Sequence, residues 1–255
     1  MGARRAGVAA VGKGPQSRYG CSCSPCPKPM PEPAVVPVRV WDLPTRVFHW
    51  TLALAVVGSV ISAKIGGNAM VWHFRLGYVV LTLLAFRLLW GLVGGRWSRF
   101  ASFAYAPSTL WRYLRGRAAP RQPLDVGHSP TGALSVFALL GVLLAQLGTG
   151  LVADDEIAHQ GPLNRFVGTD MAMGATSWHK GWGQWLLLGL VALHVATIVW
   201  VLLKKNTNLV RPMLGGDKPL PPGTPASADG LPQRALALLL AALCAGLATW
   251  VAELG

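Results

Sequence analysis

Acidic residues are scarce in this chain: ten Asp and Glu stand against 23 Lys and Arg in 255 residues. They are also absent where they would matter most. None falls within the long apolar stretches at 47–63, 71–95, 129–153, 181–203 and 235–252. That speaks against a proton relay or transporter, since intramembrane relays usually combine carboxylates with histidine. Cysteine is equally sparse, four in all, and no CxxCH string occurs. Covalent attachment of a c-type haem is thereby excluded. Alternation of apolar and polar residues does not recur at strand spacing, which excludes a membrane barrel.

What is present suits hydrocarbon. Apolar residues make up 52% of the chain, and eleven residues are Trp. Four of the five stretches carry no charge, and 71–95 is interrupted only by Arg75 and Arg87. Each is close to the roughly 20 residues that cross about 30 Å of bilayer core. The expected fold is an all-α integral membrane protein. A four-helix transmembrane bundle over 41–205 is followed by a Pro- and Gly-rich linker (206–234) and a fifth transmembrane helix at 235–252.

The net charge of +13 invites nucleic acid as a partner, but its distribution points elsewhere. Seven Lys or Arg precede the first stretch, the last being Arg46. Arg96, Arg99, Arg112, Arg115, Arg117 and Arg121 lie between the second and third. Lys204, Lys205, Arg211, Lys218 and Arg234 separate the fourth from the fifth. The loop between the third and fourth instead holds Asp154, Asp155, Glu156 and Asp170. This is the positive-inside pattern. It predicts a multi-pass membrane protein with a cytoplasmic N-terminus and, if the fifth stretch spans, a C-terminus on the outer side. No nucleic acid is expected.

Residues 1–40 read as a disordered cytoplasmic tail. Arg4–Arg5 is not followed by the apolar region of an export signal, and Met30 is an alternative start. Cys21, Cys23 and Cys26 form CSCSPC without a nearby fourth metal ligand, so reduced thiols are expected. Cys244 reads as a small apolar residue. In PSTLWRYLRG, Leu110, Trp111 and Leu114 share a face beside Arg112 and Arg115, as in an interfacial helix. The fifth stretch is expected to pack or to dock a partner.

Four histidines lie within or at the edges of the apolar stretches: His49, His73, His179 and His194. An imidazole in hydrocarbon is costly without a partner, which makes it a functional candidate. The orientation puts His49 and His194 toward the cytoplasmic side and His73 and His179 toward the outer side. His194 follows His179 by fifteen residues, about 22 Å of helix rise. Fifteen steps also return to within about 60° of the starting direction, so both can face one interior. His49 pairs with His194 and His73 with His179, each pair being able to clamp one haem iron. Two axial histidines leave no open position, which suits one-electron transfer. His128 and His159 fall in loops and are expected not to be ligands, although His128 is placed to touch an inner haem or a quinone. Gly77 and Gly183, each four residues after a histidine, leave room for a macrocycle or for ordinary helix packing. Arg87 needs an anion or a snorkelling route, and an inner haem propionate is one candidate. Lys180 could face an outer propionate.

The strings RVFHW (46–50), HFRLGY (73–78), RLLWGLVGGRWSRF (87–100), GHSPTGALS (127–135) and QLGTGL (146–151) closely resemble the bacterial cytochrome b561 family, which includes the b-type cytochrome of nickel–iron hydrogenases. DDEIAHQGPL (154–163), HKGWGQWLLLGLVALH (179–194) and NLVRPMLGG (208–216) extend the resemblance. It implies a four-helix core in a bacterial inner membrane, with the C-terminus periplasmic if the fifth stretch spans, and two b haems whose ligands fall on His49, His73, His179 and His194.

The leading expectation is a membrane di-haem cytochrome carrying electrons between the quinone pool, with ubiquinone as substrate, and a redox partner. A c-type cytochrome or a hydrogenase-like subunit would serve as that partner. An electron-transfer subunit is favoured over a stand-alone oxidoreductase. One alternative is a superoxide or quinone oxidoreductase at the outer face near Lys180, against which the four acids of that loop would repel an anion. The other is a non-redox anchor or transporter.

Overall fold

The computed structural model describes residues 34–117, 124 and 126–255; CSCSPC, Arg4–Arg5, Met30 and Arg121 lie outside the described residues. A short strand β1 (Val36–Arg39) leads into α1 (Leu43–Ile65) and α2 (Met70–Val93). The short α3 (Pro107–Leu114) precedes α4 (Pro130–Val152), α5 (Thr169–Lys180) and α6 (Trp182–Lys205). Then come α7 (Val210–Gly215), β2 (Asp217–Leu220) and α8 (Leu231–Ala252). Among the described residues five spans are long and apolar enough to cross a membrane, with α5 and α6 together forming one of them.

Local chemistry sets the helix ends. Asp42 caps α1 by accepting from Thr45 N at 2.9 Å, and Ser129 caps α4 by accepting from Gly132 N at 3.2 Å. Both are followed by Pro in the first turn, where a missing N–H costs nothing. α1 stops at Gly66, whose φ of 68° is in the left-handed region that favours glycine. Only three residues of tight helix then separate it from α2, so the two run antiparallel.

Ala55 of α1, Val80 and Leu84 of α2, Leu140 and Leu143 of α4, and Leu187 of α6 form the bundle core. Leu54, Ile61, Leu92, Leu134, Leu193 and Leu203 face outward and are exposed. Lipid removes the penalty that water would impose on such a surface, and every span is a helix because hydrocarbon offers no partner for free backbone groups. On α3, Trp111 and Leu114 are exposed, and the Arg115 guanidinium lies 4.3 Å from the Trp111 ring. This is the arrangement expected of an interfacial helix.

Two features depart from the sequence-based expectation. The fourth span is broken at Gly181 (φ −103°, ψ −112°) into α5 and α6. A Cβ there would lie 2.6 Å from Ser177 O, closer than packing allows. The second departure is that the end of the expected disordered tail and the 206–234 linker are joined. β1 and β2 pair antiparallel, with Val36 opposite Leu220 and Arg39 opposite Asp217. Val40 N and Trp41 N both donate to Gly216 O, at 3.0 and 3.1 Å, and Ser227 Oγ donates to Val40 O at 2.8 Å. Asp229 bridges Arg39 and Arg234, each at 3.2 Å. Burial alone would raise the Asp229 pKa, but bonds from Arg234 and Leu43 N and the charges of Arg234 and Arg39 hold it below the ordinary carboxylate range. The linker is therefore a strap. It does not detach α8, which packs through Ala237 and Cys244 on Phe86 and Trp90 of α2 and Phe48 of α1. Gly255 at its far end lies against Pro162, in the loop before α5.

Asp42 ties the strap end of the bundle together. It is fully buried and accepts from Thr45 N, Trp90 Nε1 (3.3 Å), Gly95 N (3.1 Å) and Ser98 Oγ (2.6 Å). Asp42→Ala would strand these donors, each buried unmet donor costing about 1–3 kcal/mol. We expect a loss of about 3 kcal/mol or more. It should appear as a large fall in Tm in detergent micelles, with Asp42→Asn intermediate because it keeps one acceptor oxygen.

Candidate functional site

Each end of the bundle brings two imidazoles together. The end carrying the β-ribbon is rich in Arg and Lys and is called the basic end; the opposite end, with Asp154 and Asp155, is the acidic end. At the acidic end His73 of α2 and His179 of α5 have ring centres 5.9 Å apart, their planes at 84°. At the basic end His49 of α1 and His194 of α6 have centres 6.4 Å apart at 50°. The pairs are those expected from depth, although the break at Gly181 puts His179 and His194 on separate helices.

Two imidazole nitrogens on opposite sides of one metal, at roughly 2 Å each, set their ring centres roughly 6 Å apart. Both pairs fit that spacing. Hydrogen bonding at the acidic end fixes which nitrogens are free. His73 Nδ1 lies 2.9 Å from Ser59 O, and His179 Nδ1 lies 2.8 Å from Gln146 O. A carbonyl only accepts, so each Nδ1 carries the proton and each Nε2 keeps its lone pair. Metal-ligating histidines are typically held in this way. Among the described residues no group of three or more His, Cys, Asp or Glu could hold a metal ion. The donor set therefore fits a metal whose remaining ligands come with it, as in a porphyrin.

Space is available for such a ring. Cavities of about 360 and 110 Å³ flank the acidic-end pair and share His73, Gly77, Leu147, His179 and Lys180 as walls. A flat ring clamped between the imidazoles would extend into both. Ser59 Oγ, Gln146 Oε1 and Gln184 Nε2 line the larger cavity, and each is buried without a hydrogen-bond partner among the described residues. Buried polar atoms seldom stay unpaired, so these three mark a site for a partly polar ligand. Gly77 faces open space, whereas Gly183 abuts Gln146 and Trp178. Only the first leaves room for a macrocycle.

The two cationic candidates occupy different settings. Lys180 is exposed at the end of α5 and borders both cavities. Arg87 is 3% exposed, with its guanidinium 4.6 Å from the Phe100 ring, and its Nη1 has no partner among the described residues. Arg46 Nε, His49 Nδ1 and His128 Nδ1 share that condition, so the basic end gathers four unmet nitrogens.

Several residues that shape the site are not marked by the sequence. Ser59 and Gln146 act through backbone carbonyls, which no side-chain pattern reveals. Gln146 Nε2 also donates to His179 O at 2.7 Å. A Cβ on Gly150 would lie 2.7 Å from His179 Cε1, and QLGTGL is its only sequence trace. His128 lies between Trp41 and Phe103, with ring centres 4.7 and 4.4 Å away. Burial, followed by the charges of Arg87, His49, His194 and Lys218, pushes its pKa down to about 3. His159 stacks on Phe74 at 6.0 Å, and its Nδ1 lies 3.2 Å from Asp155 Oδ2. Bonds from His159 N and Ala158 N hold Asp155 well below the usual carboxylate range.

Gly150→Val should displace His179 and weaken the acidic-end site, whereas Gly246→Val, with open space around it, should not; absorbance of the purified protein distinguishes them. His128 supplies a pH test. Its folded pKa is depressed, so the unfolded chain binds the extra proton. Its contribution to stability is complete above about 6.5 and is lost as pH falls toward about 3. His128→Gln should flatten the acid decline of Tm over that window.

The family model for prokaryotic cytochrome b561 matches residues 40–216. A relative from Escherichia coli (strain K12), the "Probable Ni/Fe-hydrogenase 1 B-type cytochrome subunit", is 26% identical over 214 residues, covering 71% of this chain and 91% of the relative. The "Probable Ni/Fe-hydrogenase B-type cytochrome subunit" of Azotobacter vinelandii is 24% identical over 213 residues, covering 70% and 87%. No solved structure gives a significant match. With that family matched over most of its length and five apolar helices to cross a bilayer, this chain belongs to the prokaryotic cytochrome b561 family, membrane cytochromes that hold haem b and transfer electrons.

Proposed function

We propose that this chain holds two b haems, one between His49 and His194 and one between His73 and His179. It carries single electrons across the bacterial inner membrane between the quinone pool and a redox partner protein. The observation that supports this best is the pair of ring separations, 6.4 and 5.9 Å, at opposite ends of one bundle. Haem b supplies the one-electron chemistry. His49 with His194 and His73 with His179 would hold it through two nitrogens each, which would favour electron transfer over binding of a further ligand, and both pairs are carried on apolar helices.

Arg87 and Lys180 are assigned to haem carboxylates at the basic and acidic ends. Buried Arg87, with an unmet Nη1, has the stronger need for an anion. The excess of Arg and Lys at the ribbon end makes that end cytoplasmic, so both the N-terminus and the strap face the cytoplasm. The C-terminus, at the far end of α8, is periplasmic. Ubiquinone is the lipid-soluble partner. The relatives' names favour a hydrogenase-like subunit over a c-type cytochrome as the redox partner.

The test is the haem content and reduced-minus-oxidised spectrum of the purified chain. About two low-spin b haems per chain are expected. His194→Ala and His73→Ala should each lower that content to about one, and the double variant should bind none. A colourless preparation would contradict the proposal.

A further inference from the structure

The two imidazole pairs sit in unlike surroundings. At the acidic end both Nδ1 atoms meet backbone carbonyls, Ser59 O at 2.9 Å and Gln146 O at 2.8 Å. At the basic end His49 Nδ1 is buried with no hydrogen-bond partner among the described residues. A metal-bound imidazole that donates its second N–H to a carbonyl becomes a more basic ligand. It pushes electron density onto the metal and favours the oxidised state, so the potential falls.

Fixed charge acts in the same sense. Reduction adds an electron, which a nearby cation stabilises and a nearby anion opposes. The basic end holds buried Arg87, partly exposed Arg46 one turn before His49, and Lys218, whose Nζ donates to Val126 O at 3.4 Å. Asp42 opposes them with its charge spread over four hydrogen bonds, while Asp217 and Asp229 are paired with Arg39 and Arg234. At the acidic end Lys64 and Lys180 are exposed, so solvent and salt screen them. Asp155, on the wall of the smaller cavity, offsets them further.

Resting on the bis-histidyl reading above, we propose that the His73–His179 centre has the lower potential and the His49–His194 centre the higher. Ser59 and Gln146 are positioning residues that lower the first, and Arg46 and Arg87 raise the second. Transfer from the acidic-end centre to the basic-end centre is then downhill. It moves one electron and breaks no bond.

A potentiometric titration of the full-chain holoprotein in micelles, followed optically and by low-temperature EPR, tests this. Two one-electron components are expected, with His49→Ala removing the higher and His73→Ala the lower. Arg46→Gln, which leaves every proposed ligand in place, should lower the higher component alone. Asp155→Asn, which removes an anion from the wall of the acidic-end cavity, should raise the lower one. The assignment is overturned if His49→Ala removes the lower component or if both haems titrate at one potential. It is equally overturned if Arg46→Gln leaves the higher component unmoved or Asp155→Asn leaves the lower unmoved. A wild-type chain with fewer than about two haems, or His49→Ala and His194→Ala removing different components, would instead contradict the bis-histidyl reading itself.

Discussion

Hydrocarbon gives a polar group no water to fall back on, and that constraint organises this molecule. Backbone groups satisfy it by forming helices across the whole apolar length. Side chains satisfy it by partnership, and the partnerships divide into two kinds. Asp42 meets four donors and closes the basic end structurally. The histidine pairs meet one another at about the spacing of two ligands on one metal, which leaves their inner faces for something not made of protein.

The polar atoms left unmet fit the same picture. Ser59, Gln146 and Gln184 gather on one cavity, while Arg46, Arg87 and His128 gather at the opposite end. A soluble core would seldom tolerate so many. Here they lie beside the imidazole pairs, where a planar ligand with carboxylate arms would reach them. The fold therefore separates the work of holding the bundle together from that of receiving a cofactor, and it assigns different residues to each.

Much of this could be read from the sequence because membranes impose coarse rules. Span length, the separation of basic and acidic loops, and the meeting of His49 with His194 and of His73 with His179 all survive translation into three dimensions. The break at Gly181 did not show, because a single glycine between Lys180 and Trp182 at the start of an apolar run reads as uninterrupted helix. The strap did not show either. Its Pro and Gly content reads as a linker, and only pairing with Val36–Arg39, nearly the whole chain away, makes it a ribbon. Ser59 and Gln146 were beyond reach for a simpler reason: their carbonyls are common to every residue. Arg87 was legible as a buried cation in need of an anion, but its place over Phe100 was not.

The central claim, that both pairs are axial ligand sets, is tested most directly by low-temperature EPR of the oxidised, purified chain. The account predicts two low-spin ferric signals. The more anisotropic should belong to the His73–His179 centre, whose ring planes stand at 84° against 50° for the other pair, and it should vanish in His179→Ala. A high-spin spectrum, a single low-spin species at full haem loading, or no haem iron at all would contradict it.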